Sequence, residues 1–91
     1  TQVFRGLAEI VAHRCYQLDG SVQFSFQQIL MFEDIIPIQF GVLGAEFKVG
    51  QYIKQNGISF LALILDEVLN GFPDISIICG TRIQGIYDRL P

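Results

Sequence analysis

"AEFKVGQYIKQNGISFLALILDEVLNGFPD", residues 45–74, folds in one of two ways, and the choice sets the fold class. Asn56-Gly57 between two apolar runs is a strong hairpin signal, because both residues tolerate the positive φ that a two-residue turn requires. On that basis 46–54 and 58–65 pair as antiparallel strands. The alternative keeps the first strand and lets Ser59 cap a helix through "FLALILDEVL". The end of the run favours the helix. Asn70-Gly71-Phe72-Pro73 places a glycine at the exit, an apolar residue after it and a proline that blocks continuation, the pattern of a Schellman-type stop. The expectation is therefore a strand over 46–54 and a helix over 58–70.

Towards the C-terminus, "DISIIC" (74–79) reads as a short buried strand, and Gly80 as the turn that ends it. Thr81-Arg-Ile-Gln84 has the form of a capping box, and Ile83, Ile86, Tyr87 and Leu90 follow at i, i+3, i+4 and i+7, a helix over about 82–90. The second half thus reads strand, helix, strand, helix. Towards the N-terminus, Phe4, Leu7, Ala8, Val11, Cys15 and Leu18 share one side at helical spacing, predicting a helix over 3–18 that Asp19-Gly20 stops. Val22, Phe24 and Phe26 alternate like a strand to about residue 25. Ser25-Phe-Gln-Gln28 then has the form of a capping box, opening a helix that Pro37 ends or kinks. "IPIQFGVLG" (36–44) shows no clear period. The fold class expected is α+β: a small mixed sheet of three to four strands with helices packed on it, in one domain over 1–91.

Charged side chains make up 16% of the chain, against about a quarter in an ordinary domain. A domain of 91 residues has much surface for its volume and buries only about 60–65% of what its unfolded chain exposes. So few charges cannot coat it, and the surplus apolar surface is expected to face a partner. A homo-oligomer is the simplest such partner, and a larger complex the next. The net charge is −3. Between Arg14 and Lys48 no basic side chain occurs, while Asp19, Glu33, Asp34 and Glu46 all do. That pattern excludes the basic stripe of a nucleic-acid binder and suits, as a further alternative, an acidic inhibitor of a basic protein.

No apolar run reaches the roughly 20 residues that cross a bilayer, and no secretory pattern is visible. A start at Thr1 rather than Met fits an excised or processed piece that has lost a targeting segment. Two cysteines, Cys15 and Cys79, either pair or stay free, and are too few for a disulfide scaffold, so the cytoplasm is the expected home.

Candidate chemistry is sparse. Cys79 at the end of the expected strand, with Gly80, Thr81 and Arg82 at the start of the expected helix, forms the candidate ligand-binding corner. The helix dipole and Arg82 would stabilise a thiolate or a small anion there. The competing role is structural, with Cys79 a core side chain and Thr81 a cap. No glycine-rich phosphate loop or Cys-x-x-Cys is present. His13 is the single histidine, with Glu9 one turn earlier on a face shared with Arg5 and Gln17. That face reads as solvated, with weak i,i+4 pairs. Cys15 lies about 200° around the axis from His13, which argues against a nucleophile pair within one straight helix. Glu33-Asp34 and Asp66-Glu67 are adjacent pairs whose members point about 100° apart, so they lack metal-ligand spacing. No catalytic residue, metal site or cofactor is assigned, and the balance leans away from an enzyme. The aromatic side chains, mostly expected in the core, leave room for a small apolar ligand.

Overall fold

A computed structural model describes residues 2–17, 25–38, 45–75 and 77–90. Within these the order is α1 (Gln2–Gln17), α2 (Phe26–Leu30), β1 (Ile35–Ile38), β2 (Ala45–Lys48), α3 (Val49–Asn56), α4 (Ile58–Gly71) and α5 (Ile77–Arg89). The architecture is α+β, mostly helical, with one two-stranded antiparallel sheet among the described residues. The three to four strands expected are not found there. The strand expected near 21–25 and the Asp19-Gly20 stop lie outside the described residues.

The helical alternative holds for the decisive stretch. Leu61, Ile64, Leu65 and Val68 recur at helical spacing on α4 and are fully buried, each contributing on the order of 1.5–3 kcal/mol of apolar burial. α1, α3 and α5 all pack on α4. Asn56-Gly57 is a junction, but between two helices: Gly57 has φ 88° and is the only described residue with positive φ. Its N–H donates to the Ile53 carbonyl at 3.0 Å. The Asn56-Gly57 signal therefore located the positive φ, and the helix expected over 58–70 holds, while the hairpin it also suggested does not form. The Schellman stop is not formed. α4 runs through Gly71, and Phe72 turns extended at φ −129°, ψ 85°, the conformation imposed on a residue before proline. The Gly71 carbonyl is instead capped by Arg5, whose Nη2 donates to it at 3.0 Å. Arg5 also pairs with Glu67 and lies over the Phe72 ring, 4.2 Å from its centroid. Its expected i,i+4 partner on α1 is thus replaced by a contact across to α4.

The strand expected over 46–54 stops at Lys48. Val49, Gly50 and Ile53 are buried on one side of α3, and the Gly50 N–H reaches the Phe32 carbonyl at 3.3 Å. A Cβ at position 50 would overlap the Leu30 backbone, with the carbonyl carbon at 2.6 Å, so only glycine allows this approach. The helix expected to run up to Pro37 is also corrected. Its capping box is real: Gln28 N–H donates to Ser25 Oγ at 3.3 Å and Ser25 N–H to Gln28 Oε1 at 2.7 Å. α2 nevertheless lasts only five residues, and Pro37 lies in β1. Ile35 pairs with Lys48, Ile36 with Phe47, Pro37 with Glu46 and Ile38 with Ala45. Val49 N–H donates to the Asp34 carbonyl at 2.7 Å, which puts hydrogen-bonded positions at 34, 36 and 38. Position 37 therefore turns its backbone away from β2, and its missing N–H interrupts no ladder bond.

The largest correction concerns "SIICGTRIQG". Ile77 to Arg89 is one continuous helix, so the strand over 74–79, the turn at Gly80 and the helix start at Thr81 are not found. The Thr81 hydroxyl donates to the Ile77 carbonyl at 2.8 Å within that helix. Cys79, Ile83 and Ile86 are buried along one side and Leu90 packs beside them, a helical repeat that extends back through the β-branched run. Cys15 and Cys79 form a disulfide with Cα atoms 5.9 Å apart. It spans a sequence separation of 64, a loop whose closure restricts the unfolded chain by about 4 kcal/mol on the chain-entropy account.

The core is aliphatic. All described buried apolar residues are Leu, Ile, Val, Ala or Cys. The aromatics expected inside instead form a half-buried band: Phe4 meets Phe60 edge-on at 5.9 Å, Phe60 meets Tyr52 at 5.8 Å, and Tyr52 meets Phe47 at 6.1 Å. Phe24 and Phe40 lie outside the described residues.

Two glycine substitutions are expected to move stability in opposite directions. A Cβ at Gly80 meets nothing within 4 Å, so Gly80→Ala in a helix interior is expected to stabilise by about 0.5–1 kcal/mol. Gly50→Ala is expected to destabilise by about 1–3 kcal/mol through backbone overlap. Urea unfolding followed by circular dichroism checks both. A loss of stability in Gly80→Ala would restore the turn.

Candidate functional site

The apolar stripe of α1, through Leu7, Ala8, Val11, Ala12 and Cys15, faces the core. Helical geometry therefore sends Gly6, Glu9, His13 and Gln17 outward, with Ile10 and Arg14 at the margin. β1 runs beside that margin, and the two elements enclose an open groove of about 590 Å³ lined by these residues and by Asp34, Ile35 and Ile36. The lining mixes aliphatic Ile10, Ile35 and Ile36 with polar and charged side chains. His13 and Glu9 are thus brought together in one concave surface, and both are exposed.

The groove is held by one ion pair. Arg14 Nε donates to Asp34 Oδ2 at 2.7 Å and its Nη2 to Oδ1 at 2.8 Å, a two-toothed grip that fixes orientation as well as distance. The hydrogen bond to Asp34, and then the carboxylate's charge, raise the Arg14 pKa above its already high ordinary value, against a smaller opposing effect of desolvation. The guanidinium also lies 5.7 Å from the Phe32 ring centroid. Because the Asp34 carbonyl accepts from Val49, this one residue ties together α1, β1 and the start of α3. Neither local periodicity nor any motif announces the pair. The usable signal was that Arg14 is the last basic side chain before Lys48, which leaves Asp34 few other partners.

Of the expected corner, Cys79 is buried and bonded to Cys15, Gly80 is half-buried, Thr81 is exposed and Arg82 is half-buried. All four lie within one turn of α5, after its first two residues, so the strand end that motivated an anion or thiolate site is absent. Among the described residues, no three His, Cys, Asp or Glu side chains cluster closely enough to hold a metal ion, and no helix is long and apolar enough to cross a membrane. A second, smaller cavity of about 240 Å³ lies between α2 and the α3–α4 junction, lined mainly by Phe26, Leu30, Ile53, Ile58 and Leu61. That volume falls below the roughly 300–1,000 Å³ of small-molecule pockets and suits a single apolar side chain.

Comparison with protein-family models, with curated proteins and with solved structures finds no match to this chain.

Arg14 and Asp34 act as a unit, so their substitutions are expected to be non-additive. Arg14→Lys and Asp34→Asn should each speed hydrogen exchange at the Val49 amide several-fold, and the double variant should be no worse than the worse single one. Amide-resolved exchange by NMR checks this, and simple multiplication of the two effects would show that the pair does not hold the start of α3.

Proposed function

We propose that this chain is a non-enzymatic interaction module that buries apolar surface in a complex, with a second copy of itself as the simplest partner. The observation that carries the reading is the exposure of large aliphatic side chains: Ile77 at 88%, Met31 at 74%, Leu63 at 59% and Ile35 at 57%. With charges at 16% of the sequence, such a surface favours association.

The sheet edges are unsuited to strand pairing. On β1 the outward backbone positions are 35 and 37, and Pro37 has no N–H to offer. On β2 they are Glu46 and Lys48, both exposed and charged. Proline and charge are the usual means of blunting an edge, so association is assigned to side-chain surfaces. The acidic-inhibitor alternative is less favoured, because Asp34 is already neutralised by Arg14. A small-ligand reading has one observation of its own, the α1–β1 groove, whose volume and mixed lining fall in the usual range for a binding site. The Cys79–Arg82 version of it would require the disulfide to be open. A cytoplasmic home is likewise the less favoured placement, since a standing disulfide belongs to an oxidising setting.

Sedimentation equilibrium at tens of micromolar is expected to show concentration-dependent self-association. A variant carrying Met31→Gln, Ile35→Thr, Leu63→Gln and Ile77→Gln, all at exposed positions, should stay folded and sediment as a monomer. A wild-type chain that is monomeric throughout would overturn the self-association.

A further inference from the structure

We propose that the Cys15–Cys79 disulfide is a redox-controlled latch: closed, it holds the first half of α5 on α1, and opened, it releases that half while the rest of the fold stays in place.

Burial is concentrated in the second half of α5. Among the described side chains from Ile77 to Arg82, Cys79 is the only buried one, and Ile77 is almost wholly in solvent. The stronger packing comes later, from Ile83, Ile86 and Leu90. The segment is also a poor helix by itself. Gly80 is an interior glycine, and Ile77, Ile78 and Thr81 are β-branched, which together make up four of the six residues from Ile77 to Arg82. Glycine and β-branched residues both lower helix propensity, and a threonine bonded back one turn adds a further weakness. No acidic residue in the first turn complements the dipole. By contrast α1, α3 and α4 share buried Leu7, Val11, Ile53, Leu61, Ile64 and Leu65, and need no cross-link to stay together.

The sulfurs are sheltered, with Cys15 at 2% and Cys79 at 3% exposure. A dithiol reductant can therefore attack only when the start of α5 opens. One thiolate of the dithiol attacks a cysteine sulfur and forms a mixed disulfide, releasing the other cysteine as a thiolate. The second thiol of the reagent then displaces the remaining cysteine. Two electrons and two protons pass to the protein, leaving two cysteine thiols and the cyclic disulfide of the reagent.

The test is hydrogen exchange of the whole chain, resolved by residue, in dithiothreitol and without it. After reduction, amides of 78–83 are expected to exchange at least 100-fold faster than those of 61–68, which remain protected, and oxidised glutathione should restore the original pattern. A double variant, Cys15→Ser with Cys79→Ser, should show the reduced pattern without reductant. Equal loss of protection in α4 and α5, unfolding of the whole chain on reduction, or no change in α5 would each overturn the latch. The chemical reduction decides the matter even if the double variant fails to fold.

Discussion

Burial of one face of α4 is the constraint on which the other elements depend. Leu61, Ile64, Leu65 and Val68 can leave water only if three other helices cover them, and α1, α3 and α5 are the covers. Each cover carries its own aliphatic stripe, so the core closes on branched side chains and excludes the rings. Aromatics then fill the half-buried band around it, where their area is useful and their shape is not confined. Two polar ties and one covalent tie are placed towards the ends of elements. Arg5 closes the exit of α4, Arg14 fixes β1 to α1, and the disulfide fixes α5 to α1.

What was legible in the sequence follows from this hierarchy. α1 and α4 present long, regular stripes, and both were readable within a residue or so of their ends. The Ser25 capping box was also readable, because it is a local device that needs no partner. α3 was not, since its helix is short and the residue that fixes it, Gly50, acts by meeting the Leu30 backbone twenty positions away in sequence. The start of α5 was misread because Ile75, Ile77 and Ile78 have strand propensity, and propensity yields where tertiary contacts decide. Continuing the repeat of Ile83 and Ile86 back to Cys79 would have given the helix. Pro37 was taken as a helix breaker, yet a proline is equally at home on an edge strand, and only the register tells which.

The site divides in the same way. His13 and Glu9 were placed together on the outer face of α1 by spacing alone, but the groove that gives them a concave setting depends on β1 docking alongside. The reading of Cys79 to Arg82 as a corner rested on a strand end, and the structure has a continuous helix there instead. Its cysteine instead serves a structural bond, which makes the redox state of the surroundings part of the stability of α5. Few charges, blunted sheet edges and exposed aliphatic side chains are the features on which the proposed association rests.

Backbone carbon chemical shifts over 45–90 test the central claim, that α4 is a helical hub flanked by helices on both sides, most directly. The account predicts extended shifts at 45–48, then helical shifts over 49–56, 58–71 and 77–89, broken at Gly57 and again at the extended Phe72. Extended shifts across 58–65 would restore the hairpin, and extended shifts across 75–79 would restore the strand ahead of Gly80. Either result would contradict the fold described.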